Sequence, residues 1–232
     1  MSADLDSLDD AEQLYGERGE VSLFLPLMQG DVFRTVEVPV LGDQPQIVQV
    51  VMHPCSMRNG ADLNPVITVA PVVLRRERVS DKFWRSSSRY MPLPELLGTD
   101  EDYAGRLPDL TAVSKDSLLR SDRIATLSQL GVVLLQQRMV FSLTRCRVEP
   151  SEIEAELRPI FCELEMQADW VERALDVDHE PDAMTVVVEA ERSFQDWLDA
   201  DNRARRKRLQ RVTEHASLRR EATIESRDRY RT

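Results

Sequence analysis

The chain is poor in the residues from which compact chemical sites are usually assembled. It has three cysteines and three histidines in 232 residues. Cys55, Cys146 and Cys162 are odd in number and widely spaced, with no CxxC pair, which argues against a disulfide framework and against a zinc finger. No apolar run reaches the roughly 18 residues that a membrane span requires. The start, MSADLDSLDDAEQ, is acidic and lacks the basic-then-apolar order of a secretion signal. These absences predict a cytoplasmic protein with no membrane partner. Nothing in the residue pattern implies a cofactor or a metal.

What is present suits a folded domain. Hydrophobic residues make up 42% and charged residues 31%, so a core is affordable and the chain is long enough for one large domain or one medium domain with an appendage. The net charge of −11 would repel a phosphate backbone if spread evenly. It is uneven: the first twenty residues and the stretches around Asp100 and Glu149–Asp182 are acidic, whereas arginines crowd the end from Arg203. A nucleic-acid function would therefore need a local basic patch.

In order, residues 1–20 read as a solvated acidic arm with a short helix near Ser7–Tyr15, either a flexible terminus or a shield over a basic groove. Gly30-Asp31 is a turn between apolar runs. Thr35–Leu41 alternates as a half-buried strand, Gly42–Pro45 connects, and Ile47–Met52 returns. Asn59-Gly60 and Asn64-Pro65 are turns, and Val66–Leu74 is a strand whose Pro71 predicts an edge or a bulge. Residues 75–101 read as an inserted loop. Leu107–Val113 and Asp122–Leu127 are short strands, and 129–146 fits either a helix or a mixture. Helices start at Pro150 and near Asp182, each with an apolar face. The division is thus an arm (1–20), a β-rich domain (21–148) with the insertion, a helical region (149–213) and a basic, disordered tail (214–232).

The most chemically capable residues lie between two of these strands. His53 and Cys55 are two apart and would share one face of a strand, with Ser56 and Arg58 next. For His53 the plain alternative is a strand-end histidine held by a backbone hydrogen bond; for Cys55 it is a small buried apolar residue. Cys146 and Cys162 sit on apolar faces and read as core. In the insertion, Phe83, Trp84 and Tyr90 interleave with Arg85 and Arg89. Rings and guanidinium groups in that mixture suit single-stranded nucleic acid, and equally suit partly buried loop anchors.

The segments GDVF at Gly30–Phe33, QIVQVVM from Gln46, ITVAPVV at Ile67–Val73, LPDLTAV from Leu107 and DRIATL from Asp122 run in an order that resembles the PemK/MazF toxin family. The resemblance covers a little over half the chain. It implies an α+β fold: a small Src-homology-like β-barrel, followed here by C-terminal helices. It also implies a metal-independent endoribonuclease acting on single-stranded RNA, a homodimer, and an antitoxin-like or other protein partner. The family's arginine falls here at Gln46 or Ile47 and its threonine at Val72 or Val73, side chains that supply neither a cation nor a proton. The expected function is therefore binding of or action on single-stranded RNA, with nuclease activity weakened or lost. The candidate catalytic residues are His53, Cys55 and Arg58. The candidate nucleic-acid contacts are Asp31, Ser56, Arg75, Arg76, Trp84, Arg85 and Arg89. The alternatives are a non-catalytic protein–protein interaction module using the barrel and the amphipathic helices, and a thiol enzyme built on Cys55 with His53.

Overall fold

The structure, a computed structural model, describes residues 4–8, 10–38, 42, 44–60, 62–177 and 182–231. The expected strand end at Val40 and Leu41, the turn at Asp43 and the end of the break at Pro181 lie outside the described residues. Contacts divide the chain into two compact units: Met1–Leu23, Leu27–Met57 and Asn64–Ala155 form the first, and Phe24–Pro26, Arg58–Leu63 and Glu156–Thr232 the second.

The architecture is mixed α+β. Its strands and helices up to the first long helix are β1 (Tyr15–Arg18), β2 (Val32–Val36), β3 (Gln46–Val50), α1 (Pro54–Met57), β4 (Arg58–Asn59), β5 (Asp62–Leu63), β6 (Val66–Leu74), α2 (Asp81–Ser86), β7 (Tyr90–Leu93), β8 (Tyr103–Arg106), β9 (Thr111–Ser114), β10 (Arg123–Leu127) and α3 (Gln129–Thr144). Apart from the small β4–β5 hairpin of the second unit, the strands form one antiparallel sheet in the order β1-β10-β2-β3-β6-β8-β7, with β9 also on β6. The sheet curls into a half-barrel. Its two end strands are linked by side chains, not by a ladder: the Tyr15 hydroxyl donates to the Pro94 carbonyl at 2.8 Å, and Arg18 Nη1 to the Glu95 carbonyl at 2.7 Å. Burial lifts the Tyr15 hydroxyl far above its ordinary pKa, so it stays protonated and donates.

Alternation puts Val32, Val48, Val50, Ile67, Val69, Met91 and Leu93 in the core. The undecided stretch 129–146 is the helix α3. Ser128 caps it by accepting from the Gly131 amide at 3.0 Å, and it stops at Arg145 in the left-handed region. The run Val132–Leu135 is wholly buried, and helix α3 lies against β7 and β10.

Three expectations are corrected here. The described residues of 1–20 are no solvated arm: β1 pairs with β10, and Leu5 and Leu14 are fully buried, so apolar anchoring outweighs the acidic composition. Residues 75–101 are no loop insertion, since they supply α2 and the edge strand β7, with Met91, Leu93 and Leu96 in the core. Pro71 marks neither an edge nor a bulge. Strand β6 is central, with β9 opposite Val66–Val69 and β8 opposite Val72–Leu74. Pro71 falls in the gap between those two partners, where that flank has no ladder for it to break.

In the second unit, α4 (Pro150–Leu175, of which Glu156 onward belongs here), α5 (Ala183–Leu209) and α6 (His215–Arg229) enclose their own core. Both expected helix starts are observed, with Pro150 first in α4 and Asp182 capping α5. Trp170, Phe194 and Trp197 pack as a ring cluster with centroids 5.5–5.9 Å apart. Helix α5 is broken at Ala200–Arg203, where Asp201, Asn202 and Arg203 take left-handed φ values of 54°, 55° and 61°. Asp and Asn tolerate that region better than most residues. Beyond the break, Arg206 binds Asp199 and Arg205 Nη1 donates to the Trp197 carbonyl at 3.0 Å. The expected disordered tail, 214–232, is corrected too: His215–Arg229 forms α6, because Leu218 and Ala222 are buried in the ring-cluster core and its arginines find carboxylates, such as Arg229 with Glu225 at 3.1 Å.

Candidate functional site

The candidate residues fall on different elements. His53 lies in the bend before α1, and Cys55 lies within α1, so they do not share a strand face. Proline at position 54 starts a helical turn and ends the strand. The Cys55 amide donates to His53 Nδ1 at 3.3 Å, and both side chains are exposed, as is Ser56. Partial burial lowers the His53 pKa from its ordinary value, which favours neutral imidazole. Arg58 belongs to β4 and to the second unit.

Arg75 is distant from His53. The Met52 amide bonds the Thr68 carbonyl at 3.2 Å, which places His53 beside the start of β6. Arg75 follows Leu74 at its other end. Six residues of extended strand separate the two levels by about 20 Å.

Asp31 is removed from any surface. Its Oδ2 accepts from Arg123 Nη1 at 2.9 Å and from the Met28 amide at 3.0 Å, and both charged side chains are 1% exposed. Its role as a nucleic-acid contact is therefore corrected: a carboxylate already neutralised inside the sheet neither meets nor repels a phosphate.

The aromatic and arginine residues of the former insertion separate into two environments. Trp84 is buried, and the Arg138 guanidinium lies 4.7 Å from its ring centroid. Arg138 also donates to the carbonyls of Trp84 at 3.1 Å and Asp6 at 2.7 Å; burial pushes its pKa down to about 9, so it is charged at neutral pH. Trp84 lines a cleft of about 350 Å³ shared with Arg78, Asp81, Glu95 and Asp102, three carboxylates against one cation. That side is unsuited to phosphate. Arg85 is held by Asp81 at 2.9 Å.

The second environment is more open. Arg75 lies over the Phe83 ring with its guanidinium carbon 3.5 Å from the centroid. Phe83 and Tyr90 pack with centroids 6.0 Å apart; both rings are half-buried, as is Arg75. Tyr90 and Arg106 are register partners across β7 and β8, so their side chains stand on the same face. Arg76 and Arg89, adjoining in sequence, are exposed. Sequence reasoning named Arg75, Arg76 and Arg89. It missed Arg106 and Arg123, which only strand register brings to their places, and Arg138, which lies in the undecided stretch.

Cys162 is buried as expected, whereas Cys146 is exposed, contrary to its reading as core: α3 ends at Thr144 and leaves it in the connection that follows. Among the described residues no group of three or more His, Cys, Asp or Glu side chains is placed to hold a metal ion, and no helix is long and apolar enough to cross a membrane. Compared with known proteins, the chain matches no family model and no curated protein.

Proposed function

We propose that the protein is a non-catalytic binding module for single-stranded RNA, on a PemK/MazF-like scaffold that has lost nuclease chemistry. The observation that carries this reading is the stack of Arg75 on Phe83 beside Tyr90. A guanidinium plane and half-buried rings, with exposed Arg76 and Arg89 next in sequence to Arg75 and Tyr90 and with Arg106, paired to Asp109 at 2.7 Å, opposite Tyr90, offer stacking surfaces for bases and cations for phosphates. Support for the loss of catalysis comes from the separation of His53 from Arg75 along β6, because transesterification of RNA needs a cation and a proton carrier at one phosphate.

The test is fluorescence anisotropy with a labelled single-stranded RNA, alongside a cleavage assay on the same RNA. Binding that weakens with salt, about tenfold weaker in Tyr90→Ala and in Arg75→Ala, is the expected result, with the RNA left intact. Absence of binding at low salt, or affinity undiminished from that of the unaltered protein in both variants, overturns the proposal; cleavage would overturn its non-catalytic part.

A further inference from the structure

A second concavity, wholly within the helical unit, has a composition that neither the curled sheet nor the RNA surface accounts for. It measures about 470 Å³ and is lined by Arg173, Asp176 and Val177 at the end of α4 and by Ser226, Arg227, Tyr230 and Arg231 at the end of α6. Three guanidinium groups face one carboxylate there.

The plain explanation is that basic residues in a last turn complement the helix dipole by bonding the terminal carbonyls. Arg173 fits that in part, since its Nη1 donates to the Asp169 carbonyl at 3.1 Å. The same nitrogen also donates to Ser226 Oγ at 3.2 Å, and Ser226 Oγ donates onward to the Thr223 carbonyl at 3.2 Å. Ser226 is fully buried, so it fixes where the Arg173 guanidinium points. Arg227 does not fit it. Arg227 is exposed, yet among the described residues no hydrogen bond or ion pair of the protein engages its guanidinium, neither a carbonyl nor a carboxylate. By contrast Arg229, two residues on, is held by Glu225 at 3.1 Å. Among the described residues Arg231 has only Asp228 at 3.4 Å, a pair exposed on both sides, which water screens.

We propose that this pocket binds a phosphate dianion, free or carried by a small-molecule monoester, with Arg173, Arg227 and Arg231 as the binding groups and Ser226 as a positioning residue for Arg173. Planar guanidinium groups converging on one concavity match the oxygens of phosphate in number and geometry, and the excess of two positive charges among the lining residues matches a dianion.

The experiment is isothermal titration calorimetry of the full chain in a phosphate-free buffer at low salt, with inorganic phosphate in one arm and adenosine 5′-monophosphate in the other. Saturable binding is expected, about tenfold weaker in Arg227→Ala. A smaller loss is expected in Ser226→Ala, with Arg227 still required. Circular dichroism should be unchanged in Arg227→Ala, because that side chain is exposed and makes no hydrogen bond or ion pair among the described residues. Tighter binding of the nucleotide assigns the pocket to a phosphorylated small molecule, and equal binding assigns it to free phosphate; both support the proposal. No saturable heat with either ligand, or undiminished affinity in Arg227→Ala, overturns it.

Discussion

Asp31 and Arg123 form a buried ion pair at 2.9 Å between the start of β2 and the start of β10, each side chain 1% exposed. Arg123 also donates to the Ser22 carbonyl at 2.8 Å, so one guanidinium holds the chain entering β2 as well as the sheet. Removing one partner leaves the other charge buried. Asp31→Asn and Arg123→Met should each cost about 3–5 kcal/mol, read by urea unfolding. The double variant Asp31→Asn/Arg123→Met should cost less than the sum of the two. Additive costs would show that the two charges do not act as a pair.

Glycine 131 gives a prediction whose sign opposes helix propensity. In an exposed helix interior, Gly→Ala stabilises by about 1 kcal/mol. Here a Cβ would stand 2.3 Å from the Leu14 carbonyl oxygen, which is itself pinned by the Ser128 amide at 2.9 Å. Gly131→Ala should therefore lower the melting temperature. A rise would mean that α3 does not approach the segment before β1 this closely.

The cysteines should divide by accessibility. Cys55 and Cys146 are exposed and Cys162 is buried; burial raises the Cys162 thiol above its ordinary pKa even though Arg219 donates to its sulfur, so little thiolate forms. Native protein treated with a thiol reagent near neutral pH should modify Cys55 and Cys146 promptly and Cys162 only on unfolding. Cys55 reacting faster than a peptide thiol would revive the thiol-enzyme reading.

Histidine 53 links stability to pH with a definite sign. Its folded pKa is lowered from 6.5 by partial burial, so between the folded value and 6.5 the unfolded chain binds more protons. Stability from this residue is then highest above pH 6.5 and declines as pH falls through the window, reaching its full loss below the folded pKa. His53→Gln should flatten that part of a melting-temperature profile. An unchanged slope would place His53 in full solvent.

The helical core should depend on its rings. Phe194 is fully buried against Trp170 and Trp197, so Phe194→Ala should cost about 3–5 kcal/mol, measured by chemical denaturation with tryptophan fluorescence. A cost below about 1 kcal/mol would place the ring outside a packed core.

Much of the architecture was legible in the residues. Apolar runs rich in Val and Ile marked β3 and β6, Pro150 and Asp182 marked the starts of α4 and α5, and the apolar spacing from Ile153 to Leu175 marked a helix face. Less of the site was legible. His53 and Cys55 were read as strand neighbours because the β-branched run before them is strong, but Pro54 turns the chain into α1. Arg85 and Trp84 looked free to meet a ligand, yet Asp81 pairs with Arg85 at the surface and Arg138 holds Trp84 inside the fold; Asp81 is local, whereas Arg138 lies 54 residues further on.

Local patterns, then, determined which segments extend, which coil and which faces are apolar, because side-chain periodicity and proline act over a few residues. Only tertiary structure decided which charges are consumed and which remain open. Asp31 with Arg123, Arg138 with Trp84, and Arg227 with no partner among the described residues are outcomes of strand register and helix docking. A charge's availability is set by what the fold places within hydrogen-bonding distance of it, and no reading of one segment contains that information.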